Sequence, residues 1–292
     1  MNVVFTADFK NIWVLSLSSA LAGSVIPLMV LVGSLVGAEL APTVTWATAP
    51  IALMILGTAL AVIPVSSCMQ ALGRKKALWL FMSLGIVSCG LAMIALQLQS
   101  FTLFCITSLL LGTTNTALLQ TRFAAMESVT IEHSATAASM VMGGGIIAAF
   151  VGPELAVMGA QLTDVSYQGS FLLAAACIAL AASILSLFKS PPITAPVTQK
   201  TSTSTATLLR NPSFCLAIAS GITAYVVMSF VMTGTPISMH HFHGHSLMDT
   251  KWVIQSHIAA MFLPSFIAPL LFKHFKIRGM MLLGLACYCT TI

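Results

Sequence analysis

The long apolar runs between sparse charges constrain this chain more than any motif does. Twelve lysines and arginines and seven carboxylates are spread over 292 residues, and 58% of the chain is hydrophobic. The first apolar stretch runs from Asn11 to about Gly37. Others cover 44–67, 77–97, 101–121, 137–160, 169–188, 213–238 and 252–272. A spanning helix needs about 20 mostly apolar residues. No water reaches backbone amides inside the hydrocarbon layer, so each span must satisfy its own hydrogen bonds as a helix. The sequence predicts an all-α polytopic membrane protein with about eight full spans.

The basic residues orient these spans. If the first helix leaves the cytoplasm, Lys10, Arg74, Lys75, Lys76, Arg122, Lys189, Lys200, Arg210, Lys273, Lys276 and Arg278 all fall inside. Lys251 alone falls outside. This asymmetry is the positive-inside pattern. It predicts a multi-pass protein of the plasma membrane, in a bacterium the inner membrane, with a cytoplasmic N-terminus. The net charge of +5 follows from this topology. It offers no clustered basic face of the kind that binds nucleic acid. Lys10 before an apolar run resembles the start of a secretory signal, but the run continues to about Ala38, too long for a signal core. Seven cysteines, mostly within spans and without CxxC spacing, read as small buried side chains.

The chain divides once. Residues 189–212 include SPPITAPVTQKTSTSTATLLRNP, rich in Ser, Thr and Pro, which predicts a flexible cytoplasmic linker. Residues 1–188 then form a six-helix bundle and residues 213–292 a second, incomplete one. The stretch from Gly279 to Ile292 gives ~21 Å of helix at the usual rise, a partial ninth span.

Six helices, a linker and a second set that begins alike resemble the major facilitator superfamily of secondary transporters. The loop after the second span, Ser66 to Lys76, ends in Gly73-Arg74-Lys75 like the family's loop signature. The signature's aspartate falls on Gln70 and its first glycine on Ser66. Lys273, Lys276 and Arg278 keep the basic character in the second half, as parallel repeats would. Gly152-Pro153, after the small-residue run from Gly143, is similar to the signature of the family's antiporters. Gly144, Ala148, Gly152, Ala156 and Ala160 make one smooth face that admits a close helix neighbour. Pro153 removes a helix hydrogen bond and predicts a bend. The resemblance implies that the fifth and eighth helices meet across the halves, where such a contact could seal one side of a cavity as the halves rock.

Two ionisable residues within spans stand out. Glu154 is the one carboxylate well inside a span, and such residues default to function. Either it holds and releases a proton, or the helix unwinds after Pro153 and Glu154 reaches interfacial water. It lies about 200° around the helix from Gly152, off the small-residue face. His257 sits at similar depth in the eighth span, and histidine is the residue type suited to a proton relay. It is read as a proton relay that meets Glu154, or as a neutral ring bonded to a carbonyl. Four histidines, His240, His241, His243 and His245, precede that span. His241, His243 and His245 are weak metal candidates on a glycine-containing loop without fixed ligand geometry, or a sensor of external pH.

For the cavity, the resemblance points to helices one, four, seven and ten. Helix four offers Asn115, Gln120 and Arg122, with Arg122 expected at the cytoplasmic mouth near Glu127 and Glu132. The family's usual fourth-helix arginine falls on Ser108. Helix seven offers Tyr225, Ser229 and Thr233 on one stripe, with Met228 and Met232 beside them, a pattern shared by helix packing and ligand contact. No nucleotide loop and no nucleophile with a partnered base argues for an enzyme. The sequence reads as a monomeric secondary transporter in the lipid bilayer, without cofactor. It moves a small molecule by alternating access, with proton-coupled export foremost. Proton-coupled uptake of a metabolite or metal chelate, and an inactive truncated transporter, are the alternatives.

Overall fold

The computed structural model describes residues 7–190, 205–274 and 277–289. Much of the linker, Lys200 and Lys276 lie outside the described residues, as do the side chains of Lys273 and Arg278. Every regular element among the described residues is helical. Helix α1 runs Ala7–Gly23 and continues through Val25–Leu28, a wide turn Met29–Gly33, and Ser34–Leu40. α2 consists of Ala49–Leu60 and Val62–Leu72. α3 is Arg74–Gln97, and α4 is Phe101–Leu119 extended by Thr121–Met126. α5 is Ser134–Gly159, α6 Gln168–Leu185, α7 Pro212–Ile237, α8 Leu247–His274 and α9 Ile277–Cys289. A short helix, Thr205–Leu209, interrupts what was expected to be featureless linker.

Six of these helices are long and apolar enough to cross a membrane, and the two parts of α2 supply a seventh span if taken together. Those parts bend by 46°. Pro64 explains the bend, because its ring displaces the carbonyl of Leu60 four residues earlier and leaves it without an amide. Pro27 acts in the same way on Gly23, where α1 breaks before its wide turn. Pro153, by contrast, sits inside an uninterrupted α5, so the expected bend is not a break.

Local chemistry sets the helix starts. Asn211 accepts hydrogen bonds from the amides of Ser213 and Phe214 ahead of α7, with Pro212 at the first helical position. Before α8, the Ser246 hydroxyl accepts from the Asp249 amide while the Asp249 carboxylate accepts from the Ser246 amide at 3.2 Å. That reciprocal pair is a capping box.

The first six helices share one core. α1 lies against α5 and α6, α2 against α4, and α3 against α4 and α6. Phe104 and Phe171 meet edge to face within it, at 5.8 Å and 82°. One end of the bundle is tied by polar side chains. The Arg74 guanidinium holds Glu127 at the end of α4 through two bonds, of 3.0 and 2.6 Å. Lys75 donates to the carbonyl of Ser186 after α6 at 2.6 Å, a cation on a helix C-terminus. Gly73 turns the chain into α3 at φ 82°, a conformation that suits glycine. The matching residues of the loop signature therefore act as a clasp across α3, α4 and α6.

The small-residue face of α5 does not meet α8. A Cβ on Gly152 would lie 2.3 Å from the Ser24 carbonyl, and one on Gly144 would lie 2.9 Å from that of Ser16. This face packs on α1, and the break at Ser24 faces Gly152. α8 takes a different side of α5, where Gly145 fits the ring of Phe262.

Candidate functional site

The two halves meet through α5, α7 and α8. A small apolar cluster joins them: Val30 of α1, Ala149 of α5, and Ile254 and Ile258 of α8, with Met232 and Phe262 packed alongside. Such an interface has no hydrophobic drive inside lipid and depends on close packing and polar bonds.

The polar bonds lie near the end of α5 remote from the Arg74 clasp. Lys251 Nζ donates to Glu154 Oε1 at 2.7 Å. Gln255, one turn further along α8, donates from its amide to the same oxygen at 3.4 Å and to the Phe150 carbonyl at 3.1 Å. Lys251 is buried, while the Glu154 side chain is 46% exposed. The ammonium also lies 4.7 Å from the ring centre of Trp252, a cation–π contact. The capping box before α8 sets the register that brings Lys251 and Gln255 onto the α5 side.

This corrects two expectations. Lys251, which the positive-inside pattern leaves as an outlier, is half of an ion pair between the bundles. Glu154 pairs with Lys251 and Gln255 rather than His257. The His257 ring is half-buried, and its Nε2 is buried with no hydrogen-bond partner. Two signals pointed to the true arrangement: a single basic residue on the wrong face, and a glutamine one helical turn after it.

A cavity of about 330 Å³ lies between the halves. α1, α2, α4 and α5 supply one wall, and α7 and α8 the other. Of the expected cavity residues, Asn115, Arg122, Tyr225, Ser229 and Thr233 line it. Gln120 does not; its amide donates to Ser66 across the α2–α4 seam at 2.9 Å. Asn115 also serves that seam through a 3.3 Å bond to Thr58, leaving its carbonyl oxygen for another partner. Five methionines, Met54, Met142, Met228, Met232 and Met261, give the walls a soft apolar surface, and Phe262 adds a ring.

Arg122 differs from its expected setting. Arg74 takes Glu127, and the side chain of Glu132 lies outside the described residues. Among the described residues, Arg122 is the one charged residue lining the cavity. Its Nε is buried without a hydrogen-bond partner, and its guanidinium rests 4.9 Å from the centre of the neighbouring Phe123 ring.

The histidine segment folds on itself. Ser238–Phe242 continues α7 as a wide turn. His240 Nδ1 pairs with the His245 carbonyl at 2.9 Å and His243 Nδ1 with that of Ser238 at 2.8 Å. The rings of His243 and His245 stack at 6.5 Å, and the His241 side chain lies outside the described residues. Among the described residues, no three His, Cys, Asp or Glu side chains converge on a point that could hold a metal.

Comparison with known proteins agrees with this architecture. The riboflavin transporter RfnT of Brucella anthropi is 35% identical over 96% of this chain and 71% of its own length. Two uncharacterised MFS-type transporters of Bacillus subtilis (strain 168) are similar as well. YddS is 29% identical over 91% of this chain, and YdeG is 31% identical over 90%. The chain spans 64% of the length of each of these two. The family model described as Major Facilitator Superfamily matches residues 12–292. With two helical halves enclosing a cavity, this multi-pass chain belongs to the Major Facilitator Superfamily and is a membrane transporter rather than an enzyme.

Proposed function

We propose that this chain carries a flavin-class molecule, a flat heteroaromatic ring with a polar tail, across the membrane by alternating access. The observation that carries this reading is the cavity. Its methionine and aromatic walls suit a flat ring, while Asn115, Ser229, Thr233 and Arg122 offer a few polar contacts. Its volume falls in the range typical of small-molecule sites. Similarity to a riboflavin transporter supports the same substrate class.

In this reading the Glu154–Lys251 pair closes the site on the face opposite the Arg74 clasp, and the basic face is cytoplasmic. Protonation of Glu154 removes the charge that holds Lys251 and frees α8 from α5. This links opening to protons and assigns Glu154 the coupling role, with His257 as a nearby acceptor in the outward-open state. Gly152 and Pro153 keep α5 fixed to α1 while α8 moves. The same cycle runs as export or uptake according to which state the proton favours.

The test is a titration of riboflavin with purified protein in detergent, read by quenching of flavin fluorescence. Saturable quenching is expected from the wild type and should be abolished by Ser229→Trp, which puts a large side chain into the cavity from α7. Equal, non-saturating signals from both would refute the assignment.

A further inference from the structure

We infer that Arg122 is a specificity residue that recognises the acceptor edge of the substrate ring, the pyrimidinedione side of a flavin, rather than its polar tail. This rests on the flavin reading above and goes a step beyond it.

Three observations lead here. First, Arg122 has an unpartnered, buried Nε and lines the cavity. A guanidinium is a fork of donors without an acceptor. The buried Nε–H is one donor of that fork left unbonded, at a standing desolvation cost, and the outer nitrogens can engage a ligand with paired lone pairs. Second, among the described residues no carboxylate lines the cavity, which leaves the counterpart to the substrate in this reading. Third, Asn115 lies two helical turns before Arg122, and both face the cavity. Helical side chains lean towards the N-terminus, so Arg122 reaches back towards Asn115. The two then bracket a ring edge that both accepts and donates. The guanidinium faces a carbonyl and ring nitrogen, and the free Asn115 carbonyl faces an imide N–H.

The rest of the cavity argues for this end-on reading. The α7 stripe of Tyr225, Ser229 and Thr233 is on the other wall and supplies hydroxyls suited to a polyhydroxy tail. A terminal phosphate dianion is disfavoured, because one cation against methionine walls leaves excess charge buried.

The experiment measures binding of four probes to wild type, Arg122→Lys and Arg122→Gln in detergent. Riboflavin has both the dione edge and the tail. Lumiflavin keeps the edge, with its unprotonated ring nitrogens, without the tail. Flavin mononucleotide adds a phosphate. Phenazine has a similar flat ring without the edge. Arg122→Gln is expected to weaken riboflavin and lumiflavin alike, by roughly ten- to a hundredfold. Phenazine binding should stay unchanged, which also shows that the cavity is intact. Arg122→Lys should recover part of the loss.

If Arg122→Gln weakens riboflavin but not lumiflavin, Arg122 reads the tail and the inference is wrong. If flavin mononucleotide binds best and loses most, the arginine is a phosphate site and the inference is again wrong. If the wild type binds phenazine as tightly as riboflavin, the ring edge is not read. If it binds no flavin at all, the flavin reading fails and this inference falls with it.

Discussion

At the scale of single residues, the ion pair between α5 and α8 is asymmetric, and its mutants should be too. Lys251 is buried, whereas Glu154 is nearly half exposed. Truncating Glu154 to Ala strands an ammonium in the interface. The loss should fall between the roughly 1 kcal/mol of an exposed pair and the roughly 3–5 kcal/mol of a buried one. Lys251→Met removes the buried charge and leaves a carboxylate that reaches water, so it should cost less. Thermal scans of the two variants in detergent check the order. Equal losses would mean that the pair shares its burial evenly. Asp249 gives a pH dependence at the same scale. It lies on the exposed first turn of α8, where bonds from the Ser246 hydroxyl and amide hold its carboxyl below the usual aspartate range. The ionised form is the one that caps the helix. Its stabilising effect is complete above the ordinary Asp pKa and fades as pH falls through the lowered one. Protection of the amides at residues 247–250, relative to their intrinsic exchange at each pH, should therefore fall on acidification, and Asp249→Asn should show the lower protection already at neutral pH.

At the scale of elements, the seam between α1 and α5 is the tightest test of the packing. A side chain on Gly152 meets the backbone of α1, which has no flexible atom to give way. Gly152→Leu should cost more than the roughly 1–3 kcal/mol of ordinary overpacking. Gly221→Ala on α7, where nothing lies within 4 Å of the new methyl, should cost nothing. Melting temperatures in detergent compare the two. These elements also show what a sequence can carry. The spans were legible because apolar length is a local property of the chain. So was the small-residue stripe of α5, a periodic pattern in one helix. Its partner was not legible, since the same stripe fits α1 or α8 equally well and only the assembled bundle decides. Glu154 stood out because a lone carboxylate inside a span is rare. Lys251 stood out by its face but not by a partner, because a lysine near a helix end reads as one that reaches the interface along its apolar stem. Arg122 was expected near Glu127 and Glu132; the Glu132 side chain lies outside the described residues, and Arg74 takes Glu127. That pairing crosses from α3 to α4 and leaves no trace in spacing.

At the scale of the molecule, the account depends on the halves moving against each other about the cavity. The contact of α8 with α5 is the joint that must open on the face opposite the Arg74 clasp. Spin labels at Met158 and Val253, both exposed and on opposite sides of that joint, report its width by pulsed electron resonance. The account predicts one short distance in the wild type, and a second, longer population in Glu154→Gln that grows as riboflavin is added. A single distance, unchanged by the substitution and by riboflavin, would contradict it.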